Sequence, residues 1–528
     1  MNVLGISAYY HDSAACLFQD GKLVFACEEE KFTGIKHDSS FPDSVIKHIK
    51  ENYTDKFDVV CYYEKPHLKL LRALKHNWKS VPKTLWTGIK AWFKLKRLSK
   101  TVFFSEHHTS HLMYAYHTSP FTDATLVSID GVGEEETLRV VKMVNGEAIN
   151  KLTVKYPHSL GLLYSAITAY LGFKPNEGEY KVMGLASYGD PSKYKGKFRK
   201  LLNYKRGLEV NMKYFEWDRS NKVMFNRHLL ELLGDNRLPD EPIEQKHKDI
   251  AAALQWSYET ALFHILNQYS GENLCLSGGC AYNGTANGKI KQNTPYKDVW
   301  IPAAPSDAGS CIGACANYLY HNSCLQKIDF NPFLGPEYSF TLCNSKPLDL
   351  DIIAKELYEG KVVGWYEGRI EFGARALGHR SILANPTLPG MQDKINKLIK
   401  KREMFRPFAP MVTHIAQGTY FESYDFIPYM NQVVKVKEQF RDQLKAPTHV
   451  DGTARVQTVY DSETSMYRLL TRFEKLSGFP ILLNTSFNVK DKTMILYPED
   501  ALKTFWETDI DVLVINNQMF FKNKGGIA

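Results

Sequence analysis

Two stretches of this chain share one strand grammar, and that repetition limits the folds open to it more than any other feature. Residues 3–29 read V-L-G-I-S-A-Y-Y-H-D-S-A-A-C-L-F-Q-D-G-K-L-V-F-A-C-E-E. That is a strand, a polar turn, a second strand, an Asp-Gly hairpin and a third strand. Residues 126–149 repeat the order, L-V-S-I-D-G-V-G-E-E-E-T-L-R-V-V-K-M-V-N-G-E-A-I, with Asn-Gly in place of Asp-Gly. Three-stranded meanders occur in many folds, so the duplication, rather than either copy, carries the information.

Composition supports a large enzyme-sized chain. At 528 residues, with 44% hydrophobic and 23% charged residues, it holds enough core for two to four domains, and disorder is not indicated. No run reaches the ~18 apolar residues of a membrane span, and the N-terminus lacks a basic region followed by an apolar one. Nine cysteines without C-x-x-C spacing suggest reduced thiols and a cytoplasmic protein.

A paired strand–turn unit is the device by which actin and sugar-kinase folds hold ATP phosphates, one hairpin from each half. A third element agrees: L-C-L-S-G-G-C-A-Y-N (274–283) reads as a buried strand ending in Gly278-Gly279, with Asn283 just beyond. Such a turn admits a phosphate or ribose to backbone amides, although an ordinary tight turn has the same sequence. In S-E-H-H-T-S-H (105–111), Ser105 is a plausible helix N-cap. His107 and His111, four apart, then share one helix face and can reach one metal ion; packed or solvated histidines are the other reading. Asp130 closes a strand beside glycines, and Asp307, in P-S-D-A-G-S, lies in a loop of similar character.

Residues 66–100 carry ten Lys or Arg and no Asp or Glu, more than the net +8 of the whole chain. Leu70, Leu71, Leu74 and Trp78 share a helical face, Pro82 interrupts, and Trp86, Ile89, Trp92 and Phe93 begin a second amphipathic stretch. The segment is either a docked helical hairpin with a solvated basic side or an electrostatic landing surface for an anionic acceptor or membrane. Nucleic acid fits less well, because the charge is confined to one segment.

Past a Pro-rich linker (329–336) a new α/β pattern begins, with a helix over 349–359 and a strand over 362–366. Arg375 and Arg380 lie in E-F-G-A-R-A-L-G-H-R-S (371–381). Lys400, Lys401, Arg402 and Arg406 precede Pro407, Arg455 lies in H-V-D-G-T-A-R, and Asn484 and Ser486 in L-L-N-T-S-F-N. Guanidinium forks at Gly- and Pro-marked loops suit a triphosphate or acyl phosphate.

Long motifs spread from residue 4 to about 490 make the chain resemble the ATP-dependent O-carbamoyltransferases of nodulation-factor, antibiotic and toxin biosynthesis. They are G-I-S-A-Y-Y-H-D-S-A-A, K-H-D-S-S-F-P, S-E-H-H-T-S-H, I-D-G-V-G-E, Y-K-V-M-G-L-A-S-Y-G, E-F-G-A-R-A-L-G-H-R-S-I, F-R-P-F-A-P and L-N-T-S-F-N. The resemblance implies an actin/sugar-kinase-like, duplicated ribonuclease H-like domain over 1–335, with the basic insertion at about 66–100. A YrdC-like α/β domain follows over 340–528. It implies His107, His111 and Asp307 as ligands of Fe(2+) or another divalent metal, with Asp130 beside them. His11, Lys36 and Asp130 become the catalytic candidates. Arg375, Lys400, Arg406, Arg455, Asn484 and Ser486, with Gly278, Gly279 and Asn283, become candidates for holding carbamoyl phosphate and ATP with its Mg(2+). Gly34, Glu135 and Ala374 depart from residues common in the family, which leaves the acceptor undefined.

The implied chemistry is carbamoyl transfer from carbamoyl phosphate, via carbamoyl adenylate, to a hydroxyl of a small-molecule or glycan acceptor, with His11 or Asp130 as general base. Asp130 as an orienter without proton transfer is the alternative role. The basic segment favours an anionic acceptor; no nucleic-acid partner is expected, and a homo-oligomer is left open. A threonylcarbamoyl-type transferase acting on tRNA is the rival reading, supported only by that basic segment.

Overall fold

The computed structural model describes residues 1–205, 207–220, 223–341, 345–400, 408–423 and 425–522. It divides into two compact units, one of residues 1–26 and 39–330, the other of residues 27–38 and 331–528.

Two five-stranded sheets organise the first unit. In the first, β1 (Asn2–Ser7) pairs antiparallel with β2 (Ala14–Gln19) and parallel with β4 (Val59–Tyr62). β3 (Lys22–Glu28) lies outside β2, and β5 (Thr101–Phe104) runs parallel to β4, giving the order β3-β2-β1-β4-β5. The second sheet repeats this plan. β6 (Ala124–Ile129), β7 (Glu136–Val144) and β8 (Glu147–Lys155) form the antiparallel meander. β9 (Asn273–Ser277) joins β6 in parallel and β10 (Asp298–Trp300) joins β9, so the order is β8-β7-β6-β9-β10. The unit is therefore a duplicated α/β fold of the actin and sugar-kinase type.

Local chemistry explains the two meanders. Asp20 and Gly21 have φ of 48° and 78°, and Asn145 and Gly146 have 51° and 81°. Positive φ at both central residues matches the twist of the flanking strands, and Asp-Gly and Asn-Gly tolerate it best. All six residues of β6 are buried, as befits a strand covered on both faces. Its core includes Val127, Ile129, Ile167, Leu254 and Leu262.

Two helices carry the candidate site, α3 (His107–Thr118) and α4 (Asp307–His321). They pack with little between them: a Cβ on Gly313 would lie 1.7 Å from the Ser110 carbonyl oxygen. The basic segment folds as α1 (Pro66–His76) and α2 (Val81–Leu98). Pro82 sits in the first turn of α2, where its missing N–H is harmless; it opens that helix instead of merely interrupting a pattern.

The second unit is built on an eight-stranded mixed sheet. Its strands are β11 (Lys346–Pro347), β12 (Val363–Tyr366), β13 (Arg380–Ala384) and β14 (Ala409–Thr413), then β15 (Gln457–Val459), β16 (Ile481–Ser486), β17 (Val512–Ile515) and β18 (Gln518–Phe521). The order is β11-β18-β17-β12-β13-β16-β14-β15. One core holds Ile382, Leu483 and Leu513, and the other holds Leu383, Leu482 and Val514. Alternating neighbours along three strands thus face opposite sides, the pleat of a sheet covered twice. No helix among the described residues is long and apolar enough to cross a membrane.

Candidate active site

The site of the first unit gathers where strands end. β5 leads into α3 at His107, Asp130 directly follows the end of β6, and α4 begins at Asp307 after the loop that Ile301 opens. Glu106, not Ser105, is the N-cap of α3, and its side chain makes no cap bond. Ser105 is buried instead and accepts a hydrogen bond from Asn317 Nδ2 at 3.0 Å. The N–H of His107, which has no partner within its helix, is met from another loop and donates to both oxygens of buried Glu134 at 3.0 and 3.1 Å. This is an N-terminal cap supplied in three dimensions, with no local sequence signal.

His107, His111, Asp130 and Asp307 form one buried cluster, with a ligand atom from each lying within 4.8 Å of the others. His111 Nε2 is 3.1 Å from His107 Nε2, 3.0 Å from Asp130 Oδ2 and 3.4 Å from Asp307 Oδ1. Among the described residues neither oxygen of Asp307 accepts a hydrogen bond, although the residue is 1% exposed. A buried carboxylate left so is costly unless a cation meets it. Behind His111, Nδ1 lies 3.1 Å from Ser310 Oγ, the kind of partner that turns Nε2 toward a metal. The two-imidazole, two-carboxylate set therefore fits a divalent first-row ion, with Asp130 added to the three ligands expected from the sequence.

Burial pushes His111 down, but the carboxylates of Asp130 and Asp307 outweigh it and raise the group to about 9. For Asp130 burial acts upward, yet the hydrogen-bonding imidazoles hold its carboxyl well below the ordinary range. Both Asp130 oxygens are also engaged by backbone: Oδ1 accepts from Gly131 N at 2.6 Å, and Oδ2 from Gly279 N at 3.2 Å. Both carboxylate oxygens of Asp130 thus have partners, with Oδ2 facing His111 as well. His11, in the β1–β2 turn, pairs through Nδ1 with Asp12 Oδ2 at 3.0 Å. Burial lowers its pKa, but Asp307 and Asp12 prevail and lift it to about 10, so without a metal the imidazole is a cation.

The remaining sequence candidates of this unit have structural partners. Gly278, at φ 86°, packs so closely that a Cβ would lie 2.2 Å from Ile129 O. The Gly-Gly turn thus brings the end of β9 against the end of β6 and delivers the Gly279 N–H to Asp130. Asn283 exchanges hydrogen bonds with Gln255 at 3.0 and 3.1 Å and accepts from Ala286 N. Its amide serves the fold. Lys36 is exposed and lies on segment 27–38, which belongs to the second unit.

In the second unit the Gly-punctuated loop 371–380 is held from all sides. Buried Glu371 Oε1 accepts from Leu377, His379 and Arg380 N at 2.8, 2.9 and 3.1 Å. Asn484 Nδ2 donates to Ala376 O at 3.0 Å and Gln457 Nε2 to Leu377 O at 2.8 Å. From segment 27–38, Glu28 accepts from Gly373 N at 2.7 Å and Lys31 donates to Gly373 O at 3.2 Å. Burial pushes Glu28 up to about 7 against the pull of Lys31. Arg380, singled out with Arg375 as a phosphate-type arginine, is buried over Tyr366 and donates to the carbonyls of Glu367 and Gly368 at 2.6 and 2.8 Å. It holds the loop's base. Arg375 and Arg455 are half-buried, on loop 371–380 and on a two-stranded ribbon with Val433–Lys435. Lys400 Nζ meets Ser486 O at 2.8 Å and Asn488 O at 2.9 Å, which joins Lys400 and Ser486 as expected neighbours. Arg406, Lys401 and Arg402 lie outside the described residues. The bracing contacts of Glu28, Lys31, Glu371 and Gln457 are not legible in the sequence, because their partners are backbone atoms of a folded loop.

The chain thus joins a duplicated α/β unit, with a buried histidine–aspartate cluster at its strand ends, to a second unit built on a mixed sheet. Comparison with known families names it. The model of the carbamoyltransferase N-terminus matches residues 2–68 and 79–316, and that of the carbamoyltransferase C-terminus matches residues 354–522. The chain belongs to the carbamoyltransferase family, enzymes that transfer carbamoyl groups. It is 38% identical to the uncharacterized protein sll1178 of Synechocystis sp. over 99% of this chain and 97% of that one. Nodulation protein NolNO of Sinorhizobium fredii is 34% identical, over 98% of this chain and 80% of its own length. Nodulation protein NolO of Bradyrhizobium diazoefficiens is 36% identical, over 78% and 77%.

Proposed function

We propose that this carbamoyltransferase is ATP-dependent and O-specific, with activation in the second unit and transfer in the first. The observation that carries the transfer half is the buried cluster of His107, His111, Asp130 and Asp307. In the second unit, water cleaves carbamoyl phosphate to carbamate and inorganic phosphate, and a carbamate oxygen then attacks the α-phosphorus of ATP. A carbamate oxygen–phosphorus bond forms, pyrophosphate leaves, and carbamoyl adenylate results. Arg375, Lys400 and Arg455, with Arg406 beyond the described residues, are the cations assigned to the phosphates; Arg375 lies on the loop that Glu371 braces, and Arg455 on the ribbon with Val433–Lys435. Mg(2+) accompanies ATP.

In the first unit a hydroxyl oxygen of a small-molecule or glycan acceptor bonds to the carbamoyl carbon, the bond to AMP breaks, and the hydroxyl proton is lost. His107, His111, Asp307 and Asp130 are the residues to hold a divalent ion, iron first by family resemblance, and such an ion supplies Lewis acidity toward a carbamoyl or phosphate oxygen. His11 lies in the field of Asp307 and is tied to Asp12, which accepts from Ser306 Oγ at 3.4 Å. Its imidazole is assigned proton handling or charge stabilisation at the reacting group. Asp130 orients.

The test is incubation with carbamoyl phosphate, ATP and a panel of sugars, aminoglycosides and polyketides, read by mass. A gain of one carbamoyl group that requires ATP supports the reading. Transfer that proceeds without ATP, or only to tRNA, defeats it.

A further inference from the structure

The outward face of residues 66–100 is the reverse of what water selects. On α1, Leu71 is 53% and Leu74 56% exposed, and Trp78 beyond its end is 73% exposed; on α2, Trp86 is 68% and Phe93 61% exposed. With 3.6 residues per turn, Leu85, Trp86, Ile89, Trp92 and Phe93 make one stripe along α2. All five are exposed, while Ala91 and Leu95 on the opposite side are buried. Lys83, Lys90 and Arg97 run along one border of that stripe at the same helical spacing. Their stems can lie beside apolar groups while their charges reach outward.

We infer that this hairpin docks on the surface of an anionic phospholipid bilayer. Solvent-facing Trp, Phe and Leu bordered by lysines, without acids, is the pattern of an interfacial helix pair that lies in the headgroup region and does not span it. Lys79, Lys83, Lys90, Lys96 and Arg97 meet no carboxylate among the described residues, although Lys96 donates to Lys100 O and Lys90 lies over the Tyr9 ring, so their positive charge is left unneutralised toward anionic headgroups. A second copy is a poor occupant, since a two-fold contact would set the hairpin's ten cations against ten more. A nucleic acid would leave the apolar stripe without a partner. Residues 69–78, with Leu71, Leu74 and Trp78, are also the stretch between the two matches to the carbamoyltransferase N-terminus.

The hairpin is fastened to the wall of the metal-type site in its own unit. Arg72 donates to Gly133 O, and Lys65 N, just before α1, donates to Glu134 Oε1 at 2.8 Å. Gly133 abuts His107, with its would-be Cβ 2.8 Å from the ring. Docking would therefore hold this site at the membrane surface, whatever the acceptor.

The experiment is sedimentation of the full chain with vesicles of phosphatidylcholine alone or mixed with phosphatidylglycerol, at physiological and high salt. The expected result is binding to the mixed vesicles only, weakened by salt, with a blue shift of tryptophan emission. Trp78→Ala/Trp86→Ala/Phe93→Ala and Lys79→Gln/Lys83→Gln/Lys90→Gln/Arg97→Gln should each weaken binding by about tenfold or more while circular dichroism and melting stay unchanged. Absence of binding to the mixed vesicles at physiological salt overturns the inference. So does binding that both variants retain, or self-association that the same substitutions abolish.

Discussion

His111 Nε2 stands 3.1 Å from His107 Nε2, and two carboxylates close the same space from the opposite side. A single proton between the rings satisfies one pair of atoms and leaves Asp307 without a hydrogen bond. A dication answers all four groups; the packing of α3 on α4 sets the distances of His107 and His111 to Asp307, and the Gly278–Gly279 turn holds Asp130.

Metal content checks that argument. The purified protein should hold one divalent ion per chain, and the His107→Ala/His111→Ala variant close to none. Elemental analysis of both decides, and full retention by the variant contradicts the assignment.

The metal-free protein should lose stability as the solution becomes alkaline. His111 goes from the usual value of about 6.5 in the unfolded chain to about 9 when folded. A raised pKa means the folded state holds the proton more tightly. Its stabilisation is complete below about 6.5 and is lost as pH rises through about 9. Asp130, held low, loses its share only in acid. Calorimetry of apoprotein should show a melting temperature falling across that alkaline window, and His111→Gln should flatten the fall. Metal affinity should rise over the same range, because binding displaces the proton. An apoprotein melting temperature independent of pH there contradicts the assignment of charge.

Gly313→Ala should separate the helices that carry the ligands. A Cβ 1.7 Å from Ser110 O forces α3 and α4 apart, at a cost of about 1–3 kcal/mol for an overpacked contact. Titration calorimetry should show metal affinity reduced at least about tenfold, beyond what the loss of stability explains. Unchanged affinity would mean that the helix contact does not set the site.

The duplicated meander was legible because Asp-Gly and Asn-Gly turns are local, and both adopt the expected positive φ. The gathering of His107, His111 and Asp307 was also legible, through helical spacing and family motifs. The sequence reading placed Asp130 only beside the metal, and the structure aims its carboxylate at His111. At Gly278 and Gly279 the sequence suits either phosphate approach or an ordinary tight turn, and the structure adds that the turn presses β9 on β6 and holds Asp130. Asn283 and Arg380 show the same limit, since burial in three dimensions turns polar residues at loop ends into braces. For the hairpin, periodicity leaves open whether the apolar face docks inward or meets a partner, and the structure turns much of it outward.

Glu371→Ala should collapse the loop of the second unit. Three backbone N–H groups lose their acceptor, and each buried donor left unsatisfied costs about 1–3 kcal/mol. The expected result is a fall in chemical-denaturation stability of several such increments together with loss of pyrophosphate formation. Stability within error of the parent would show that the loop is held by other means.

The most direct test of the two-unit account is pyrophosphate release from ATP and carbamoyl phosphate by the full-length His107→Ala variant. The account predicts release near the parent rate with no carbamoylated acceptor formed, because activation belongs to the second unit and transfer to the first. Loss of pyrophosphate release by a variant that melts like the parent would contradict it.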